Sequence, residues 1–311
     1  YMLNGIALRP NEVVITNGAM EALSVSLQAM TQAGDTVAIE SPVFYAILQI
    51  LERLQLKAVE IPVDPKSGMD LNTLEDAIQN FPIKAIVLMT NFQNPIGASL
   101  ADDKQHKLIE LIERYKIPTI IDDVYLELYY GKQSPQSLKA FDQHGLIIHC
   151  SSFSKCLSPG FRIGWVAGGH FSRDIERLKL MTTLSPSMPS QLALSHYLAH
   201  KHYDRHLQKL RHILAISQKK MLAAIVKYFP SNIAVTEPNG GYFIWVELDK
   251  HFDAIELYQK ALEHKISIAP GPIFSASPQF SHCIRLNYGM EWSDDLENAM
   301  MKLGKIIHAL T

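Results

Sequence analysis

The chain has 311 residues, of which 47% are hydrophobic and 19% charged, with a formal net charge of −2 at pH 7. This balance suits a folded α/β protein with one large unit and a smaller partner, and the scattered, nearly balanced charge argues against a nucleic-acid surface on this part of the chain. Cys150, Cys156 and Cys283 are too few and too dispersed for a disulfide framework or a zinc cluster. They read as small buried residues, with a reducing cytoplasm as the expected compartment. No apolar run reaches membrane-spanning length and no signal-peptide pattern is present.

Residues 1–5 read as the frayed end of a helix, which leads us to expect further chain upstream. Val13 to Gly18 reads as a short extended piece, followed by a helix with Met20, Leu23, Val25, Leu27 and Met30 apolar and a stop at Ala33-Gly34. A strand over Thr36–Ile39, a helix through Leu54 and a strand over Lys57–Ile61 come next. Asp70 opens a short helix to Asn80, and Ala85–Met89 is a fully apolar strand that runs into Asn91-Phe92-Gln93-Asn94-Pro95-Ile96-Gly97. A polar-faced helix over Asp102–Tyr115 leads to strand Thr119–Ile121, then Asp122-Asp123-Val124-Tyr125. Leu146–Cys150 and Ile163–Ala167 read as strands flanking a turn-rich stretch. Alternating helices and apolar strands predict a mostly parallel sheet covered on both faces.

Beyond Ala167 the pattern changes. Helices are predicted over Phe171–Thr183, Ser190–His200 and the long Tyr203–Tyr228, then a strand from Gly240 to Leu248 and a helix over Ala254–His264. Strands Ile266–Ala269 and Cys283–Asn287 and a helix over Ser293–Ala309 close the chain. The expected division is a large α/β domain over residues 1–200 and a small α+β domain over residues 201–311, with the long helix as hinge.

Rule-breaking polar residues collect where predicted strands end, which is where open α/β sheets bind ligands. The helix opening at Gly18-Ala19-Met20 offers bare N–H groups that suit a phosphate. Phe44 and Tyr45 place two aromatic rings at another strand end, either able to stack on a flat heterocycle. Asn94 can reach a phenolic oxygen, though a loop asparagine is more often turn chemistry. Two successive aspartates after an apolar strand are costly to bury unless a cation meets them. A pyridinium nitrogen would satisfy Asp122, with Tyr125 bonding the ring hydroxyl and Asp123 left to a capping or structural role. Lys155, ringed by Ser152 and Ser154 and followed by Arg162, suits imine formation with a carbonyl cofactor whose phosphate the hydroxyls and guanidinium hold. Burial and the Arg162 charge would then lower the amine's pKa from its ordinary value of about 10.4. Arg285, an arginine inside an apolar strand, reads either as a structural ion pair or as a bidentate clamp for a carboxylate.

Taken in order, Gly18-Ala19-Met20, Asn94-Pro95-x-Gly97, Asp122-x-x-Tyr125, Ser152-x-Ser154-Lys155, Arg162 and Arg285 resemble the class I/II aminotransferases. These are pyridoxal-phosphate enzymes of fold type I, and the resemblance covers essentially the whole chain. It implies the aspartate-aminotransferase-like fold and pyridoxal 5'-phosphate as cofactor, with Lys155 as imine lysine and proton shuttle. It further implies Asp122 on the pyridine nitrogen, Asn94 and Tyr125 on the ring oxygen, and Phe44 as the stacking ring. Ser152, Arg162 and the Gly18–Met20 amides would hold the phosphate, and Arg285 the substrate carboxylate. The segments Asn91-Phe92-Gln93-Asn94-Pro95, Cys150 to Lys155, Ser267 to Ser275 and Arg285-Leu286-Asn287 are similar to the C-terminal domain of MocR-type GntR-family regulators. That likeness implies a homodimer that senses pyridoxal phosphate or an amino compound, with DNA bound by a winged helix-turn-helix ahead of this segment; a free-standing transaminase is the alternative. Free-standing members carry further N-terminal residues, including an arm over the pocket, ahead of the point that matches Tyr1. The Ser-x-x-Lys pattern of penicillin-recognising hydrolases is also met at Ser152–Lys155, but the companion Lys-Thr-Gly and Ser-Asp-Asn elements are not.

Overall fold

The computed structural model describes residue 1, residues 6–200 and residues 202–310. The helix end expected over residues 1–5 therefore lies, apart from Tyr1, outside the described residues. The first half runs β1 (Val13–Thr16), α1 (Ala19–Met30), β2 (Thr36–Ser41), α2 (Tyr45–Arg53), β3 (Lys57–Asp64), β4 (Gly68–Met69), α3 (Leu71–Asn80), β5 (Ile83–Leu88), α4 (Asp102–Tyr115), β6 (Thr119–Asp122), β7 (Ile147–Ser152) and β8 (Gly164–Ala167). These eight strands form one sheet in the order β1-β8-β7-β6-β5-β2-β3-β4. The run from β7 through β6, β5 and β2 to β3 is parallel. β8 runs antiparallel to both neighbours, and β4 folds back on β3.

The sheet's strands read as unbroken apolar runs because both faces are covered. Along β2, Val37 and Ile39 point to the layer of α1 and α2 with Val87, Ile120, Ile148 and Val166, whereas Ala38 faces the α3–α4 layer with Ile86, Leu88, Ile121 and Ile147. Successive side chains on a strand alternate faces, so each face takes every second residue. Each fully buried branched side chain contributes about 1.5–3 kcal/mol relative to exposure. Asp70 caps α3 by accepting from the Asn72 and Thr73 amides, as its place in the sequence predicts.

The second half runs α5 (Ser172–Thr183), α6 (Met188–Ala199), α7 (His202–Tyr228), β9 (Ala234–Val235), β10 (Phe243–Glu247), α8 (Ala254–Glu263), β11 (Ala269–Pro270), β12 (Cys283–Asn287) and α9 (Asp294–Leu310). A four-stranded antiparallel sheet, β11-β12-β10-β9, packs with α7, α8 and α9 around a separate core that includes Ile244, Val246, Leu257, Ile284, Leu303 and Ile307.

Two predicted strands differ from what forms. Only Ala269–Pro270 of the segment from Ile266 pairs with β12. β10 begins at Phe243 because Gly240 and Gly241 make a turn over Phe92: a Cβ on Gly240 would collide with the Phe92 ring and the Leu128 carbonyl, and Gly241 has φ of 69°. That turn ties the two halves together, since the Tyr130 hydroxyl donates to the Gly241 carbonyl. On the far side Val43 N–H donates to Phe274 O at 2.8 Å, and Glu60 of β3 accepts from the Ser275 and Ser277 hydroxyls at 2.7 and 2.6 Å.

Candidate functional site

The parallel strands deliver their C-terminal ends to one place. β2 ends before Phe44, β5 before Met89 and Asn94, β6 at Asp122, and β7 at Ser152, with Ser154 and Lys155 in the turn beyond. There a cavity of about 160 Å³ is lined by Ala19, Met20, Phe44, Asn94, Asp122, Tyr125, Ser152, Ser154, Lys155 and Arg162, together with Leu23, Met89, Val124 and Pro159. Among the residues singled out from sequence, Gly18 and Arg285 border it rather than line it. Gly18 caps α1 at φ of 82°, and a Cβ there would run into the Arg162 guanidinium. Arg285 reaches the site through Asn94, donating from Nη1 to Oδ1 at 2.6 Å.

One end of the cavity is cationic. Arg162 donates through Nη1 to Ser154 Oγ (3.2 Å) and Pro159 O (3.4 Å), and through Nη2 to Asn17 O (3.1 Å). The guanidinium is exposed, and among the described residues no carboxylate pairs with it. Beside the first turn of α1, whose amides lack partners within the helix, this end suits an anion.

The other end is acidic and buried. Asp122, 5% exposed, accepts from Val124 N–H at 3.3 Å. Burial pushes its carboxyl up to about 7, Asp123 adds to the rise, and the Val124 amide and the Lys155 charge oppose it. Asp123 is held differently, accepting from Ser137 Oγ at 2.7 Å and from Asn91 Nδ2 at 3.3 Å, with His149 Nε2 3.2 Å away. These bonds outweigh its burial and keep it below the ordinary carboxylate range, which matches the structural role expected for it. Its twin thus lacks a strong partner: Asp122 is a buried acid aimed at a cavity, and a cationic ring atom is the kind of group that completes it.

Lys155 is exposed at the mouth, which corrects the expectation of a buried amine. It sits past the end of β7, on the lip of the sheet, with Nζ 5.9 Å from the ring centroids of both Tyr125 and Tyr242. Tyr125 is 2% exposed, hydrogen-bonds Tyr242 and packs edge-on against it. Tyr242 escaped the sequence reading because it looks like the first residue of an ordinary strand; the Gly240-Gly241 pair before it was the available signal.

Arg285 is neither a simple ion pair nor a free clamp. Its guanidinium carbon lies 4.0 Å from the Phe243 ring centroid and 5.1 Å from that of Phe274, and among the described residues no acid pairs with it. Burial lowers its pKa, opposed by the nearby Tyr125, Tyr45 and Tyr242 hydroxyls. Its Nε is buried without a hydrogen-bond partner. A half-buried cation whose Nε donor is unspent, beside a cavity that also holds an amine, can take a carboxylate. Together the groups offer an anion cradle, a floor acid, an exposed amine and a carboxylate-ready arginine around a slot for a flat ring.

Three comparisons bear on this arrangement. The chain is 50% identical over 307 residues to the uncharacterized HTH-type transcriptional regulator YdcR of Escherichia coli K12, covering 99% of this chain and 66% of that protein. It is 29% identical to aromatic-amino-acid aminotransferase 1 of Thermococcus litoralis, over 95% of this chain and 72% of the relative. The solved structure of the α-aminoadipate aminotransferase LysN from Thermus thermophilus, complexed with N-(5'-phosphopyridoxyl)-L-leucine, superposes with a TM-score of 0.93 at 27% identity, covering 98% of this chain and 76% of that one. The family model for aminotransferase class I and II matches residues 1–303, and with the parallel sheet and second, smaller sheet described above, the chain belongs to that family.

Proposed function

We propose that this chain is the ligand-sensing, aminotransferase-like domain of a GntR/MocR-type transcriptional regulator, and that its cavity takes pyridoxal 5'-phosphate with an amino acid or amino compound. The observation that carries the reading is the convergence of an exposed amine, a buried acid held only weakly by the Val124 amide and an arginine–serine cradle on one cavity. The residues fit the cofactor's chemistry: Arg162, Ser154, Ser152 and the Gly18–Met20 amides for its phosphate, Asp122 for its ring nitrogen, Asn94 and Tyr125 for its ring oxygen, and Phe44 against its face. When bound, the cofactor supplies an aldehyde carbon and an electron sink. Lys155 Nζ is the amine in reach of that carbon and the group able to carry a proton. Arg285 would orient an incoming carboxylate with its guanidinium, whose Nε is buried without a partner among the described residues.

The regulator reading is favoured by the 50% identity to YdcR and by the chain spanning 66% of that relative. In it, DNA is bound by a winged helix-turn-helix outside these residues, and the protein works in the cytoplasm. Residues 1–200 act as the cofactor domain and residues 201–311 as the smaller domain that moves against it. Leu180, Met181, Leu184, Met188 and Leu192 of the α5–α6 region are all more than half exposed and favour a homodimer. The second reading, an amino acid aminotransferase passing its amino group to a 2-oxo acid by ping-pong kinetics, is favoured by the intact Lys155 and by the likeness to the Thermococcus enzyme. Titration of purified protein with pyridoxal 5'-phosphate tests both, through visible absorbance that Lys155→Ala removes. Amino-acid-dependent change in DNA affinity of the full-length gene product, without keto acid release, supports the regulator; steady turnover to keto acid supports the enzyme.

A further inference from the structure

Beneath the cavity lies a second buried acid that the proposed chemistry does not use. Glu40, the penultimate residue of β2, is 2% exposed. Its Oε2 accepts from Met89 N–H at 2.9 Å, and Gln93 hydrogen-bonds the same carboxyl. Gln93 in turn donates from Nε2 to Pro42 O at 2.6 Å and accepts from Ile96 N–H through Oε1 at 3.1 Å. The Glu40–Gln93 pair therefore joins the two turns that carry the site, the one after β2 with Phe44 and the one after β5 with Asn94. Met89, whose amide Glu40 holds, lines the cavity and accepts from Asn94 N–H through Sδ at 3.4 Å.

The charges around Glu40 are one-sided. The charge of Asp122, two strands away on β6, adds to the rise in the Glu40 pKa that burial causes. On β3 the neighbouring acid, Glu60, is engaged by Ser41, Ser275, Ser277 and the Ala276 amide. Lys155 lies on the cavity side and acts on Asp122. Among the described residues no Lys, Arg or His pairs with Glu40. A carboxyl buried without a paired cation ionises only at considerable cost. Desolvation pushes the Glu40 carboxyl up to about 8, and the Asp122 charge adds to the rise.

We propose that Glu40 is a positioning residue of the site: a protonated acid, buried without a paired cation, that pins the Phe44 and Asn94 turns together. What Glu40 does for the cofactor rests on the reading above, but its protonation and its role in the turns do not.

The test uses cofactor-free protein, so a failure of the cofactor reading leaves it intact. An acid with a raised folded-state pKa destabilises the fold progressively as pH rises through the window between its unfolded and folded values. Glu40→Gln keeps the side-chain size and an acceptor for Met89 N–H while removing the charge. Wild type should lose thermal stability between about pH 5.5 and about pH 8.5, and Glu40→Gln should lose several degrees less over that interval. In the Asp122→Asn background, infrared difference spectroscopy at neutral pH should show a protonated-carboxyl stretch that disappears when Glu40→Gln is added. Superimposable pH–stability profiles for wild type and Glu40→Gln, or no such stretch in Asp122→Asn, would overturn the proposal. Glu40→Ala separates the pinning role: it should weaken pyridoxal 5'-phosphate binding at every pH, with rescue by Glu40→Gln.

Discussion

Asp122→Asn isolates the energetics of the cavity floor. In the folded protein the Asp122 carboxyl is raised from 3.8 to about 7, with burial as the leading cause. Between those values the folded state holds a proton that the unfolded chain has released, so stability falls as pH rises. The penalty is absent below about pH 3.8 and complete above about pH 7. A displacement of about three units, at about 1.4 kcal/mol each, sets its ceiling near 4 kcal/mol. Asparagine keeps the size and an acceptor for Val124 N–H but has no proton to lose. Urea unfolding of cofactor-free wild type and variant at about pH 4.5 and about pH 8 should therefore show the variant gaining about 3 kcal/mol on wild type across that interval. Adding pyridoxal 5'-phosphate should reverse the ranking, because the wild-type carboxylate then has a cation to meet and the amide does not. Parallel stability curves for the two proteins from pH 4.5 to pH 8, agreeing within about 0.5 kcal/mol, would refute the assignment of Asp122 as a strained, partnerless acid.

Lys155→Ala should still bind pyridoxal 5'-phosphate through the Arg162 cradle but lose its visible absorbance; an unchanged spectrum with cofactor bound would contradict the role given to the amine. Gly18→Ala forces a side chain into a positive-φ position and into the Arg162 guanidinium. It should cost about 1–2 kcal/mol in stability and weaken cofactor affinity in calorimetry, and wild-type affinity would remove the phosphate assignment. Arg285→Met preserves packing between Phe243 and Phe274 while deleting the charge. We expect amino acid affinity to fall about 10–100-fold, by spectroscopic titration, with cofactor affinity unchanged, whereas loss of the cofactor would make Arg285 structural. Asp70→Ala, which removes the cap of α3 far from the cavity, should lower stability by about 1 kcal/mol and leave cofactor titrations alone.

Why some of the site could be read from the sequence and some could not follows from where each residue's partner lies. Asp122, Asn94 and Arg162 stand out because each breaks a local rule: an acid at the end of an apolar strand, a polar residue before proline, a cation in a turn rich in hydroxyls. Each anomaly is visible in the local sequence without the fold, even where its bonded partner, such as Asn17 for Arg162 or Arg285 for Asn94, lies far along the chain. Glu40 breaks the same rule at the end of β2, yet its meaning depends on Met89 and Gln93, about fifty residues on, and on Asp122 further still. Pairing of β2 with β5 brings them together, and no sequence pattern encodes that register. Tyr242 is hidden for the same reason, since β10 meets Tyr125 only once the smaller sheet packs on the larger. Lys155 was legible as to chemistry but not as to environment: the hydroxyls around it mark a binding turn, while its exposure follows from where β7 stops. A residue's type and immediate neighbours thus announce what it can bond, and the crossing of distant strands decides whether it does so in water or in a dry slot. The twin aspartates make the point most sharply, for Asp122 and Asp123 are adjacent in sequence and alike in burial. Ser137, Asn91 and His149 converge on one and not the other, and that difference in distant partners separates a fixed structural anion from an acid whose charge is still to be claimed.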